Sequence, residues 1–288
     1  MKEPVNLAQQ AKQTHKRIYD VKWAYSSMGM PEADLATLLN VAEGWGIEEL
    51  ELRTLEDSID LPDVLAKRFQ SPIEFASYLE RSSSVEVSVL SGSLRLAKNV
   101  GKDRADFLAY VPWAEAAGVK WLRAFDFVGP YAPWTEEMFE QAVDTLRWWK
   151  MEKEKHGWSV EILVEGHHRM FYPDMYYRVG AALGWNPPLL YDLGHALSEL
   201  GNEGALATYQ ELRHHIPRVH LKDPAVVVPG GMKHSIPGQG TGNLEELMDA
   251  FVAQGTPPVV TLEWERQWEK RLPELSVAFE ALRAKHWL

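Results

Sequence analysis

Short apolar segments alternate with longer amphipathic ones along most of the chain, and this alternation constrains the fold more than any other feature. Strands are separated by helices in this pattern, so the sheet must be parallel, because each return crossing requires a dozen or more residues. Eight repeats favour a closed (β/α)8 TIM barrel over an open doubly wound sheet. The predicted strands are residues 21–26, 47–53, 85–91, 119–127, 159–166, 188–194, 217–223 and 258–265.

No linker or shift in composition interrupts the repeats, and we therefore predict a single α/β domain over residues 21–288 with an N-terminal extension over residues 1–20. Residues 224–243 contain many Pro and Gly residues and are predicted to form a long loop after the seventh strand. Unstructured loops above about 12–15 residues are typically lids or binding loops. The first helices are predicted over residues 31–44, 62–80 and 103–117.

Composition excludes several classes of protein. The 288 residues carry a net charge of −11, which argues against binding to nucleic acid or to an anionic membrane surface. There is no cysteine, so the described sequence has no disulfide, thiolate metal site or cysteine nucleophile. No stretch approaches the roughly 18 apolar residues of a membrane span, and the first twenty residues lack the apolar core of a signal peptide. We expect a cytoplasmic protein.

Four residues that can bind a metal ion fall at the ends of four successive predicted strands. Glu165 ends the fifth strand, Asp192 ends the sixth, His220 lies on the seventh and Glu263 on the eighth. Buried acidic groups are costly unless something compensates their charge, and a divalent cation would do so. Three carboxylates and one imidazole suit Mn²⁺, Mg²⁺, Co²⁺ or Zn²⁺. We therefore predict one divalent metal ion at this rim.

Further polar residues are predicted to face the same site. Residues two apart on a strand share a face, which places His167, Lys222 and Glu265 beside the candidate ligands. His195 follows Asp192 by three residues and is predicted to lie in the loop just above the rim. These four side chains are candidate substrate-binding residues.

Arginines accompany the carboxylates on other strands. Glu51 and Arg53 share a face at the end of the second predicted strand, and Arg123 lies near the end of the fourth. Such arginines act as ion-pair partners or anchor substrate oxygens. For both Arg53 and Arg123 we favour the structural ion pair, and we keep Arg123 among the candidate substrate-binding residues.

The motifs at these strand ends resemble those of the xylose isomerase-like TIM-barrel superfamily, which includes sugar isomerases and epimerases and the fold of AP endonuclease family 2. The resemblance covers the chain after residue 20. The matching segments are LVEGH at 163–167, YDLGH at 191–195, RVHLKD at 218–223, PGQGTGNLEEL at 237–247 and TLEWE at 261–265. The resemblance implies that Glu165, Asp192, His220 and Glu263 bind one metal ion. It also implies that His195 faces the substrate.

The resemblance implies proton abstraction next to a metal-bound carbonyl of a small polyhydroxy ketone or aldehyde. Glu165 and Glu263 are then the candidate catalytic acid/base pair. The partner is a small sugar or polyol-derived molecule, and a homo-oligomer stays open. The chain departs from the AP endonucleases, because its second and third strands end in ELELR and VSVLSG without further histidine ligands. The alternatives are a metal-dependent dehydratase of the inosose or 3-dehydroshikimate type and a non-catalytic metal- or ligand-binding barrel.

Overall fold

Eight parallel strands close into a barrel in the computed structural model, which describes residues 18–98, 101–127, 133–228, 231–253 and 255–288. The barrel strands are β1 (Trp23–Ser26), β2 (Glu49–Leu52), β3 (Glu86–Arg95), β4 (Trp121–Phe125), β5 (Glu161–Glu165), β6 (Leu189–Asp192), β7 (Arg218–Leu221) and β10 (Val259–Leu262). Each predicted strand segment overlaps one barrel strand. The order around the barrel is β1-β10-β7-β6-β5-β4-β3-β2, and this confirms the predicted (β/α)8 architecture.

Helices surround the barrel and bury their apolar faces against it. Within the described residues they are α1 (Leu35–Trp45), α2 (Leu61–Arg68), α3 (Pro72–Ser82), α4 (Gly101–Leu108), α5 (Val111–Ala117), α6 (Glu136–His156), α7 (Pro173–Leu183), α8 (Leu193–Leu212), α9 (Leu244–Ala253) and α10 (Leu275–Ala284). Inside the barrel, a small apolar cluster lies below the polar rim and consists of Val89, Trp121, Leu163 and Leu190. None of the described helices is both long enough and apolar enough to cross a membrane.

Proline residues divide two predicted helices. The single helix predicted over 62–80 is wrong, because α2 ends at Arg68 and α3 begins at Pro72, with the Ser71 side chain capping its first turn. Pro72 lacks a backbone N–H and suits the first turn of a new helix better than the interior of a long one. The helix predicted over 103–117 is likewise two helices, and Pro112 lies in the first turn of the second.

The segment predicted as an unstructured loop over 224–243 contains an antiparallel hairpin. Strands β8 (Pro224–Val228) and β9 (Gly231–His234) pair with each other outside the barrel. The following glycine-rich stretch is also ordered, because the backbone N–H groups of Gly238, Gly240 and Gly242 donate to the buried carboxylate of Asp223. The glycine-rich stretch is therefore held in place by the side chain of Asp223. Of the predicted N-terminal extension, residues 1–17 lie outside the described residues.

Candidate metal centre

The four candidate ligands lie on strands that are neighbours in the barrel, in the order β5, β6, β7 and β10. Glu165 and Asp192 are the last residues of their strands, His220 is the third residue of β7, and Glu263 directly follows β10. One ligand atom from each of them lies within 4.8 Å of the other three. All four residues are buried, with at most 2% exposed. The topology thus brings together the residues that the sequence spacing selected.

The imidazole of His220 lies at the middle of this cluster. Its Nδ1 atom lies 3.1 Å from Glu165 Oε1, 2.9 Å from Glu263 Oε2 and 3.6 Å from Asp192 Oδ2. Burial by itself would lower the pKa of His220, but the charges of Glu263, Glu51 and Glu165 outweigh it and raise that pKa well above its usual value. In the structure as described, the histidine therefore compensates part of the carboxylate charge.

Glu51 on β2 holds the other side of this imidazole, a role that the sequence did not reveal. Its Oε2 atom lies 2.9 Å from His220 Nε2, and its Oε1 atom accepts a hydrogen bond from the Ser91 hydroxyl at 2.9 Å. A carboxylate on one ring nitrogen fixes the tautomer and directs the other nitrogen toward a metal. The available signal was the alternation in ELELR, which turns Glu51 into the barrel, but alternation does not identify its partner on the opposite strand.

Asp192 has a structural and a chemical role at the same time. Its Oδ1 atom accepts the backbone N–H of His195 and caps α8, which begins directly after β6. The prediction that His195 lies in a loop is therefore wrong, because the cap starts the helix one residue after the strand. Capping leaves the second oxygen of Asp192 directed at the cluster. Gly194 leaves room for two neighbouring side chains, since a Cβ there would lie 2.8 Å from Met232 Sδ and 2.9 Å from Lys222 Cδ.

Several buried carboxylate oxygens in the cluster make no hydrogen bond, although positively charged groups lie near them. The ion-pair contacts bring nitrogen atoms close but lack the angles of hydrogen bonds. Buried polar atoms without partners are rare in folded proteins, and each one calls for an explanation. Within the described residues, the oxygens concerned are Glu165 Oε2, Asp192 Oδ2 and Glu263 Oε2.

Lys222 forms ion pairs with three carboxylates at this rim. Its Nζ atom lies 2.7 Å from Asp192 Oδ2, 2.5 Å from Glu263 Oε2 and 2.5 Å from Glu265 Oε1. Burial opposes the charge of Lys222, but these acidic neighbours raise its pKa well above the usual value. Burial likewise opposes the charge of Asp192, and Lys222 and His195 nevertheless lower the pKa of that carboxyl. Lys222 is thus a fixed positive charge at neutral pH.

His167 and His195 form an imidazole pair beside the cluster, with ring centroids 4.0 Å apart. His167 Nε2 contacts Glu165 Oε1 at 2.9 Å, and both histidines lie with Asp192 in a second group of closely spaced ligand atoms. Burial and the neighbouring His167 lower the pKa of His195 well below its usual value. Burial also opposes a charge on His167, yet Glu165 raises the pKa of that imidazole. One neutral and one more basic imidazole therefore face the same space.

The loop that carries His167 is held by Asp126, a second residue that the sequence reasoning missed. The Asp126 carboxylate accepts the backbone N–H groups of His167, His168, Arg169 and Met170 at 2.8–3.1 Å. Asp126 lies within the predicted strand 119–127 and directly follows the observed strand β4. The sequence did not reveal that Asp126 accepts hydrogen bonds from a loop about forty residues further along the chain.

Arg123 forms the ion pair with a site carboxylate that the sequence analysis favoured. Its Nε atom lies 3.1 Å from Glu165 Oε2, and both side chains are 1% exposed. Burial by itself would raise the pKa of Glu165, but the charges of His167, Arg123 and His220 hold it well below its usual value. Glu165 is therefore ionised at neutral pH and is able to accept a proton.

The comparisons with known proteins found similarity to solved structures. No protein-family model matches the sequence. No curated protein matches it either. Among solved structures, the IolI protein with a bound zinc atom is 20% identical, with a TM-score of 0.72 over 91% of this chain and 95% of that one.

Two other structures share the fold at lower identity. The probable 3-DHS dehydratase AsbF from Bacillus anthracis is 14% identical, with a TM-score of 0.70 over 92% of this chain and 98% of that one. An L-ribulose 3-epimerase is 12% identical, with a TM-score of 0.65 over 93% of this chain and 94% of that one. These likenesses show that the chain has the fold of the xylose isomerase-like TIM barrels, as the resemblance implied.

Proposed function

We propose that this chain is a divalent-metal-dependent sugar isomerase or epimerase. Its substrate would be a small polyhydroxy ketone or aldehyde, and the reaction would pass through an enediolate formed by loss of a proton next to the carbonyl. The observation that carries the proposal is the group of four buried ligand atoms on adjacent strand ends. The C-terminal rim is where active sites of this barrel occur. The epimerase and the zinc-containing protein among its structural neighbours support the same class.

The residues present fit a divalent cation. The unsatisfied oxygens of Glu165, Asp192 and Glu263 are harder ligands than thiolates, and with the His220 imidazole they match the preferences of Mn²⁺, Mg²⁺, Co²⁺ or Zn²⁺. When bound, such an ion polarises the substrate carbonyl and lowers the energy of the negative charge that develops on it. Glu51 would hold His220 in the orientation that binding requires.

Glu165 and Glu263 are the proposed proton carriers. Glu165 is ionised and has an oxygen without a hydrogen bond, so it is suited to remove a proton from the carbon next to the carbonyl. Glu263 follows β10, which lies on the other side of β7 from β5, and it would return a proton. His195 and His167 would hydrogen-bond substrate hydroxyls. Lys222 would position the carboxylates of its three acidic neighbours, which are Asp192, Glu263 and Glu265.

A dehydratase is the second candidate function. The same proton abstraction followed by expulsion of a β-hydroxyl as water would use Glu165 as base and Glu263 as the acid that protonates the leaving group. The structural likeness to the probable 3-DHS dehydratase supports it. Lys222 is a poor acid here, because its acidic neighbours raise its pKa. Water loss would therefore depend on Glu263 for the proton of the leaving group.

The first experiment is elemental mass spectrometry of the purified protein, followed by reloading with each of the four ions. We expect about one ion per chain, lost in a folded Asp192→Ala/His220→Ala variant. The loaded protein is then incubated with ketoses and aldoses in D2O, where deuterium incorporation at the carbon next to the carbonyl reports proton abstraction. Unchanged product mass apart from deuterium indicates an isomerase, and loss of water indicates a dehydratase. A protein that binds none of the ions would contradict both functions.

A further inference from the structure

Arg53 is a buried guanidinium beside the candidate metal centre whose charge has no carboxylate partner among the described residues. It follows β2, and alternation along this strand turns it to the same inner face as Glu51. Arg53 is 4% exposed, and the acceptor for its guanidinium is the backbone carbonyl of Ser91 at 3.3 Å. Its backbone N–H is held by the Ser27 hydroxyl, so the residue is fixed at the rim.

The other buried arginines inside the barrel are paired. Arg218 contacts Glu49, and Arg123 contacts Glu165. Arg53 instead lies close enough to Arg123 for the two positive charges to repel each other. Burial and Arg123 together lower the pKa of Arg53 to about 10. An unpaired buried charge is destabilising, and a well-packed apolar side chain would serve stability better.

Phe125 connects the two arginines. Its ring lies 3.9 Å from Arg123 Cζ and 6.0 Å from Arg53 Cζ, and it also contacts the ring of His167 with centroids 4.6 Å apart. Arg53 and Arg123 therefore lie on one side of the same space that the imidazoles border. The Nη1 atom of Arg123 is buried and has no hydrogen-bond partner, which leaves a second donor at this position.

We propose that Arg53 and Arg123 bind a carboxylate group of the substrate, so that the substrate is a hydroxy-ketone acid rather than a neutral sugar. The inference rests on the proposed function and names its substrate class. Guanidinium groups bind carboxylates through paired hydrogen bonds. The charge balance favours a carboxylate over a phosphate: Glu165 already neutralises Arg123, so one positive charge is left, whereas a phosphate group carries nearly two negative charges.

The test compares two probes that differ in one group. D-Fructose and D-fructuronate share the ketone and its neighbouring hydroxyls, and D-fructuronate carries a carboxylate in place of the terminal hydroxymethyl group. Isothermal titration calorimetry on the metal-loaded protein should show D-fructuronate binding at least about tenfold more tightly, the size expected for hydrogen bonds to a charged group. D-Fructose 6-phosphate serves as the phosphate probe.

Three variants assign the preference to Arg53. Arg53→Gln should bind both ketoses with similar affinity, and Arg53→Lys should keep part of the preference because it keeps the charge. Arg178→Gln, which changes an exposed arginine paired with Glu136, should behave as the original protein. Circular dichroism and metal content confirm that each variant is folded and loaded.

The outcomes separate this inference from the proposed function. Metal binding and deuterium exchange on neutral ketoses, without preference for D-fructuronate, would overturn the carboxylate subsite and leave the proposed function intact. Tighter binding of the phosphate probe that depends on Arg53 would also overturn it. A protein without bound metal would instead refute the proposed function. If Arg53→Gln weakened both ketoses equally, Arg53 would have a structural role only.

Discussion

Two polar layers cross the inside of the barrel on the same two strands, and they differ in how their charges are satisfied. In the lower layer, Arg218 on β7 bonds to Glu49 on β2 and donates to the Thr261 hydroxyl at 3.2 Å. The other oxygen of Glu49 contacts Lys22 Nζ at 2.6 Å. Neither oxygen of Glu49 is among the buried atoms that lack a hydrogen bond. Burial by itself would raise the pKa of Glu49, but Arg218 and Lys22 lower it.

In the upper layer, two residues further along the same strands, Glu51 and His220 face a group of carboxylates that keep unsatisfied oxygens. Both layers are buried, so burial alone does not distinguish a structural ion pair from a binding site. Cationic neighbours do not distinguish them either, because Arg123 and Lys222 lie beside the upper carboxylates. The distinguishing feature is whether the carboxylate oxygens make hydrogen bonds within the chain. In the lower layer the Glu49 carboxylate is satisfied by Arg218 and Lys22, whereas the upper layer keeps, among the described residues, three carboxylate oxygens without a hydrogen bond.

The largest expected effect is on catalysis in the upper layer. Glu165→Gln removes the proposed base with little change of shape, and we expect deuterium exchange to slow by about 10³-fold, within the range attributed to general acid–base catalysis. The measurement is the exchange rate in D2O with saturating metal and a substrate accepted by the original protein.

Glu161→Gln is the matched control for this change. Glu161 begins the same strand, pairs with Lys153 and lies at the opposite end of the barrel. Its exchange rate should equal that of the original protein. An unchanged rate in Glu165→Gln would contradict the acid/base role of that residue.

The second effect concerns stability in the lower layer. Arg218→Met leaves Glu49 buried with Lys22 as its cationic partner. Breaking a buried ion pair in this way costs about 3–5 kcal/mol of the free energy of unfolding. Urea denaturation followed by circular dichroism measures it. The exposed Arg178→Met variant should leave the denaturation midpoint unchanged, because surface ion pairs contribute little. A stable Arg218→Met variant would show that the lower layer is not required for the fold.

The third effect distinguishes the layers by ligand. A metal that binds only the folded protein stabilises it by about 2.7 kcal/mol when its concentration is 100 times the dissociation constant. We expect this gain for the original protein and for any folded lower-layer variant such as Glu49→Gln. We expect none for Asp192→Ala/His220→Ala. Thermal denaturation with and without the metal gives the comparison, and a gain retained in the double variant would place the ion elsewhere.

Much of this architecture was predictable because barrel strands and their ends are encoded locally. Apolar runs marked the strands, and the closed parallel order brought Glu165, Asp192, His220 and Glu263 to one rim without further information. The helix breaks at Pro72 and Pro112 could have been read from proline alone.

What the sequence did not reveal depends on partners from distant strands. Glu51 and Arg53 have the same alternation, yet one supports His220 and the other has no carboxylate partner among the described residues. Alternation predicts the face of a side chain and not what lies opposite it. The hairpin of β8 and β9 was missed for a related reason, because its Pro- and Gly-rich composition is typical of a loop and its pairing is formed between two short segments.

The smallest expected effect tests the link between the layers and the metal. Glu51→Gln keeps the size of the side chain but removes the charge that orients His220, and changes of this kind typically weaken metal binding by about 10- to 100-fold. Competition with a fluorescent chelator measures the dissociation constant of the metal.

Glu49→Gln is the control variant for Glu51→Gln and lies two residues earlier on β2. It should lower the free energy of unfolding and leave the metal affinity unchanged, because Arg218 and not His220 is its partner. If both variants weakened metal binding equally, the two layers would form a single network, and the separation between structural and ligand-binding charges would be wrong.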